Sequence, residues 1–72
     1  MIRETTFNKA RKAAYAEVCG FLKDGYMLML EWWQEDDLFG LIKLRHRANR
    51  NQLMIRVQGN CWSVLKNGTE VK

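Results

Sequence analysis

The chain contains no proline, one histidine and two cysteines, and no apolar run approaches the length of a membrane span. Each scarcity excludes something. A helix needs about 20 consecutive apolar residues to cross a bilayer, so no membrane contact is expected. Cys19 and Cys61 are too few and too far apart for a disulfide framework or a metal-type spacing. They are expected to be buried, reduced thiols, and no metal is expected. The lone histidine, His46, has no predictable partner to orient it for proton transfer. Neither cysteine has a histidine near it in sequence, so a thiol nucleophile lacks its base. Glu35, Asp36 and Asp37 form a turn tip rather than a paired-carboxylate site, and no glycine-rich phosphate loop is present. Catalysis and cofactor binding are therefore not expected. The N-terminal stretch "MIRETTFNKARKAAYAEV" has no apolar signal region, so a cytoplasmic location is expected.

What remains is a chain of 72 residues, read as one domain over 1–72. Its hydrophobic content of 47% is enough to offset chain entropy, so no long disordered stretch is expected. The formal charge is +4, which favours polyanions or acidic proteins as partners.

Periodicity divides the chain. Residues 5–23 carry Phe7, Ala10, Ala14, Tyr15, Val18, Phe21 and Leu22 on one arc at 100° per residue, predicting a helix. Thr5 or Thr6 can cap it, and Asp24-Gly25 ends it. Lys9, Lys12 and Lys23 form a basic face on its far side. After Gly25 the period becomes two. "QEDD", "AN", "GN" and "NG" separate candidate strands at 26–33, 38–46, 52–58, 61–66 and 69–72. The predicted fold is α+β, one N-terminal helix packed on a five-stranded antiparallel meander.

Registers drawn through those turns place Ile42 opposite Ile55, Leu44 opposite Leu53, Ile55 opposite Val64 and Val57 opposite Trp62. They also set Val64 against Val71, Met29 against Ile42 and Trp33 against Leu38. Opposed residues share a face, so one surface collects these residues with Met27, and the helix covers it. The other surface receives Tyr26, Leu28, Leu30, Trp32, Phe39, Leu41, Lys43, Arg45, Met54 and Arg56, and one helix cannot cover it as well.

That uncovered face is where function is expected. Tyr26, Trp32 and Phe39 are candidates for stacking on bases, and Lys43, Arg45 and Arg56 for contacting phosphates. The turn "RHRANRN" adds Arg47 and Arg50. The reading is a small non-catalytic protein that engages nucleic acid or a nucleoprotein. The alternative is an inhibitor or adaptor of the phage or mobile-element kind. It would dock on a host protein, such as a defence nuclease, through the apolar surface of the first two strands. A homodimer through that same surface is a further expectation. A helix followed by three strands is similar to the opening of double-stranded-RNA-binding domains. The closing helix and its lysine motif are missing, so the resemblance implies no residue roles.

Overall fold

Alanine-rich sequence and a closing Asp-Gly pair account for the first element. The computed structural model describes residues 6–72, beginning with helix α1 (Thr6–Lys23). The Asp24 amide donates back to the Gly20 and Phe21 carbonyls, and Gly25 takes φ +100, a conformation that side-chain-bearing residues rarely adopt. Thr6 is the first helical residue; the expected cap at Thr5 lies outside the described residues. Strands β1 (Tyr26–Gln34), β2 (Phe39–His46), β3 (Gln52–Gln58), β4 (Cys61–Lys66) and β5 (Thr69–Glu70) follow, with a short 3-10 turn at Glu35–Asp37. They form one antiparallel sheet in chain order, with α1 against one face. The fold is α+β, as the sequence predicts.

The core sits between helix and sheet. Phe7, Ala10, Ala14 and Val18 are buried against Ile42, Leu44, Leu53, Ile55, Val57 and Val64. Each large aliphatic side chain in this set contributes about 1.5–3 kcal/mol relative to remaining wet. The registers Ile42–Ile55, Leu44–Leu53, Ile55–Val64 and Val57–Trp62 are as expected. Trp33 and Trp62 are partly buried at the margins of this layer. Lys72 pairs with Glu17 of α1 at 2.7 Å, tying the chain's end to the helix.

Strand β1 departs from expectation. A bulge between Leu28 and Leu30 leaves Met29 without a partner, so the pairing shifts by one residue along the strand. Tyr26 pairs with His46 and Leu28 with Leu44, whereas Glu31 pairs with Ile42 and Trp33 with Gly40. Tyr26 and Leu28 therefore lie on the helix side, and Met27, opposite Arg45, on the other. This reverses the faces predicted for these residues, while Leu30, Trp32 and Trp33 keep theirs. Met29, predicted to oppose Ile42, instead lines a depression on the outer face.

Other corrections are local. Leu38 is not a strand residue facing the core: it takes a left-handed conformation at the β1–β2 connection and is exposed. Val71 donates to the Val64 carbonyl, but β5 ends at Glu70 and the Val71 side chain is exposed. Tyr15 and Leu22, predicted for the core arc, are also exposed, because that arc is wider than the strip of sheet beneath it. Cys19 and Cys61 are free thiols and exposed rather than buried. No helix among the described residues is long and apolar enough to cross a membrane.

Candidate functional site

The "RHRANRN" turn is held by backbone bonds and by the side chains of its histidine and asparagines. The Arg47 amide donates to the Gly25 carbonyl at 2.9 Å, which fastens the β2–β3 turn beside the start of β1. His46 Nδ1 accepts from the Ala48 amide at 3.1 Å, and His46 Nε2 lies 3.1 Å from the Asp24 carbonyl oxygen. The ring is thus held from both sides, by the turn's own backbone at Nδ1 and by the carbonyl just past the end of α1 at Nε2. Tyr26 packs edge-on against the same ring, with centroids 4.8 Å apart. The Asn51 amide donates to Asn49 Oδ1 at 2.8 Å, and Asn67 Nδ2 donates to Asn51 Oδ1 at 3.3 Å. Histidine and asparagines thus fix the backbone. Arg45, Arg47 and Arg50 are all exposed, and among the described residues none of them forms an ion pair.

The outer face of the sheet continues from this turn. Pairing puts Met27, Arg45 and Gln52 in one row, Leu30, Lys43, Met54 and Leu65 in the next, and Trp32, Leu41, Arg56 and Ser63 in a third. Trp32 and Phe39 meet edge to face with centroids 5.8 Å apart, and Trp32 remains 45% exposed. Lys43, Arg45 and Arg56 are exposed along β2 and β3. The acid that alternation adds to this face is Glu70, on β5 opposite Leu65. Met29, Met54 and Leu65 line a depression of about 360 Å³ together with Lys43 and Arg45. The surface therefore has an aromatic pair at the end far from the turn and one cation in each row: Arg56 in the row of Trp32, Lys43 among the methionine and leucine side chains, and Arg45 nearest the turn.

The predicted residues do not all converge here. Trp32, Phe39, Lys43, Arg45 and Arg56 share the face, and Arg47 and Arg50 border it. Tyr26 does not. Its side chain is buried on the opposite side between Phe21 and His46, because the bulge moves it there. Lys9, Lys12 and Lys23 are exposed on α1, which covers the other face of the sheet.

A polar cluster escaped the sequence reading. Glu31 accepts hydrogen bonds from the Tyr15 hydroxyl and from Trp33 Nε1, and Arg11 stacks over Trp33 at 4.5 Å while pairing with Glu35 at 2.9 Å. The signal was Glu31 itself, the one charge in "YMLMLEWWQ". Bonds from Tyr15 and then Trp33 hold its carboxyl below the ordinary 4.5. Burial, and then the bond to Glu31, push the Tyr15 hydroxyl above its ordinary 10.0. Both shifts lead away from neutral pH, the reverse of what general acid–base chemistry uses. The cluster locks α1 onto β1.

No protein-family model matches this chain, and neither a curated protein nor a solved structure matches it.

Proposed function

We propose that this is a non-catalytic binding protein that holds single-stranded nucleic acid, free or within a nucleoprotein, on the outer face of its sheet. The observation that carries the reading is the juxtaposition of the Trp32–Phe39 pair with Lys43, Arg45 and Arg56 on one uncovered face. Bases stack on aromatic faces for about 1–3 kcal/mol each, without regard to sequence, while cations follow the phosphates. Arg45, Arg47 and Arg50 support the reading because their side chains form no ion pair among the described residues. The backbone of their turn is already held by His46 and Asn49, so a contact has only the side chains left to order. A cytoplasmic location belongs with this reading.

The test is a titration of the protein with a short single-stranded oligonucleotide, following tryptophan fluorescence. Stacking on Trp32 predicts quenching that disappears in Trp32→Ala, together with weakened binding. Binding without quenching, or quenching unaltered in Trp32→Ala, would remove the stacking face from the account.

A second reading rests on a different observation: the exposed Leu28, Met29 and Leu30 of β1 are aliphatic and stack poorly on bases. They suit an inhibitor or adaptor that docks on a protein of the host, for example a defence nuclease. Such docking is insensitive to salt, whereas phosphate contacts weaken steeply as salt rises.

A further inference from the structure

Half of the exposed large apolar side chains among the described residues lie on one strand: Leu28, Met29, Leu30 and Trp32 of β1. Among the described residues this strand is also the long free edge of the sheet, with β2 on one side and no strand on the other. The opposite edge is β5, only two residues long. Leu28 faces the helix side, opposite Leu44, while Leu30 and Trp32 face the outer side, opposite Lys43 and Leu41. A partner laid flat on the outer face would cover Leu30 and Trp32 and leave Leu28 wet. A strand added to the edge flanks side chains on both faces at once. Pairing along Leu30–Gln34 sets Leu30 and Trp32 on the outer side and Glu31 and Trp33 on the helix side against a neighbouring strand, with Leu28 just beyond its end.

Charge identifies the strand that would pair. At its C-terminal end β1 runs into the acidic turn Glu35–Asp37. At its N-terminal end it begins beside Arg47, whose amide is bonded to Gly25, and Met27 lies opposite Arg45. An edge that is negative at one end and positive at the other is complementary to itself when turned antiparallel. Self-complementarity of this kind is what a twofold dimer requires. We infer that two copies of this chain associate by antiparallel pairing of β1 with β1, extending the sheet across a twofold axis. Each acidic turn then lies beside the arginine turn of the other copy.

Two features that commonly protect a sheet edge are present, and neither closes this one. The bulge at Met29 confines straight pairing to Leu30–Gln34, centred on Trp32, and that register still brings Asp36 and Asp37 alongside the Met27 end of the other copy. The inward charge on Glu31 is already bonded by Tyr15 and Trp33, so it does not repel an approaching strand as a bare carboxylate would. The dimer leaves the outer face open and makes it continuous across both copies. The inference stands apart from the nucleic-acid reading, because association is measured with the protein alone.

The experiment is a charge swap followed by sedimentation in nuclease-treated samples, with circular dichroism to verify folding. One variant carries Arg47→Glu and Arg50→Glu; the other carries Asp36→Lys and Asp37→Lys. All four side chains are exposed, so each variant should fold. The wild type should dimerise, and each variant alone should sediment as a monomer at the same concentration. Their equimolar mixture should recover the dimer, because both contacts are then between opposite charges. A wild type that stays monomeric at high concentration overturns the pairing and leaves the edge to a strand of another protein. Variants that dimerise as well as the wild type, or a mixture that fails to recover, overturn the antiparallel arrangement.

Discussion

Gly40 shows what a single missing side chain does here. The Trp33 ring lies across it from the facing strand, so closely that a Cβ at Gly40 would fall 2.1 Å from a ring carbon. No rotation of a flexible tail relieves that overlap, and the ring would have to leave its place beside Phe7 and Tyr15. Gly40→Ala should therefore destabilise the protein by about 1–3 kcal/mol, the range for overpacking a fitted site. Urea denaturation measures it, and a loss well under this range would mean that the ring moves freely.

The bond from Tyr15 to Glu31 is a second residue-scale feature, and it predicts a dependence on pH. The Glu31 carboxyl titrates below 4.5 when folded, so its contribution is complete above 4.5 and is lost as pH falls through the lowered value. The Tyr15 hydroxyl titrates above 10.0 when folded, so its contribution is complete below 10.0 and is lost as pH rises through the raised value. Stability from this pair should form a plateau between those limits, and Tyr15→Phe should lower the plateau and soften both shoulders. Denaturation midpoints measured across pH check it; equal losses in wild type and variant at both ends would show that the pair is not responsible.

At the scale of elements, the interest lies in why four strands were legible and one was half misread. Strands β2 and β3 bury every second residue, β4 buries Val64 and partly buries Trp62 on the same face, and the two-residue turns at Gly59–Asn60 and Asn67–Gly68 set the register between neighbours. In β1 the run "YMLML" is apolar at every position, so it carries no phase. A bulge inserted there changes which side chains face the core without changing the hydrophobic pattern. The same limit explains Tyr26: its burial depends on the extra residue at Met29, which no composition signal marks. Leu38 was misread for a related reason, since its left-handed conformation has neither glycine nor asparagine to announce it. Lys43, Arg45, Arg56, Trp32 and Phe39 were legible as one face because alternation holds from Leu30 onward.

The bulge account predicts opposite outcomes for two neighbouring deletions. Removing Met29 deletes the unpaired residue and lets Leu28 and Leu30 keep their partners in a regular ladder, so Tyr26 should still pack on His46. Removing Met27 pulls Tyr26 into the outward position opposite Arg45, withdrawing a buried aromatic at a cost of about 3 kcal/mol or more. Thermal denaturation ranks the two deletions, and nuclear Overhauser contacts between Tyr26 and His46 report the face directly. Equal damage from both would mean that Met29 is not the inserted residue.

At the scale of the whole molecule, one face of the sheet is covered by α1 and the other is uncovered among the described residues. The net charge of +4 is not spread evenly: acids gather at Glu35–Asp37, and exposed cations lie along Lys43, Arg45 and Arg56 and around the β2–β3 turn. The proposed reading is that a polyanion is held on the outer face by the cations there. The most direct test of that claim is the salt dependence of binding to a labelled single-stranded oligonucleotide. The wild type is compared with a variant carrying Lys43→Gln, Arg45→Gln and Arg56→Gln. Each phosphate contact on a single strand contributes about −0.7 to the slope of log K against log salt, so removing three should flatten the slope by about 2. Affinity should fall at low salt while folding stability stays within about 0.5 kcal/mol, as for exposed charges generally. A variant that binds with the wild-type slope and affinity would show that the outer face is not where nucleic acid is held.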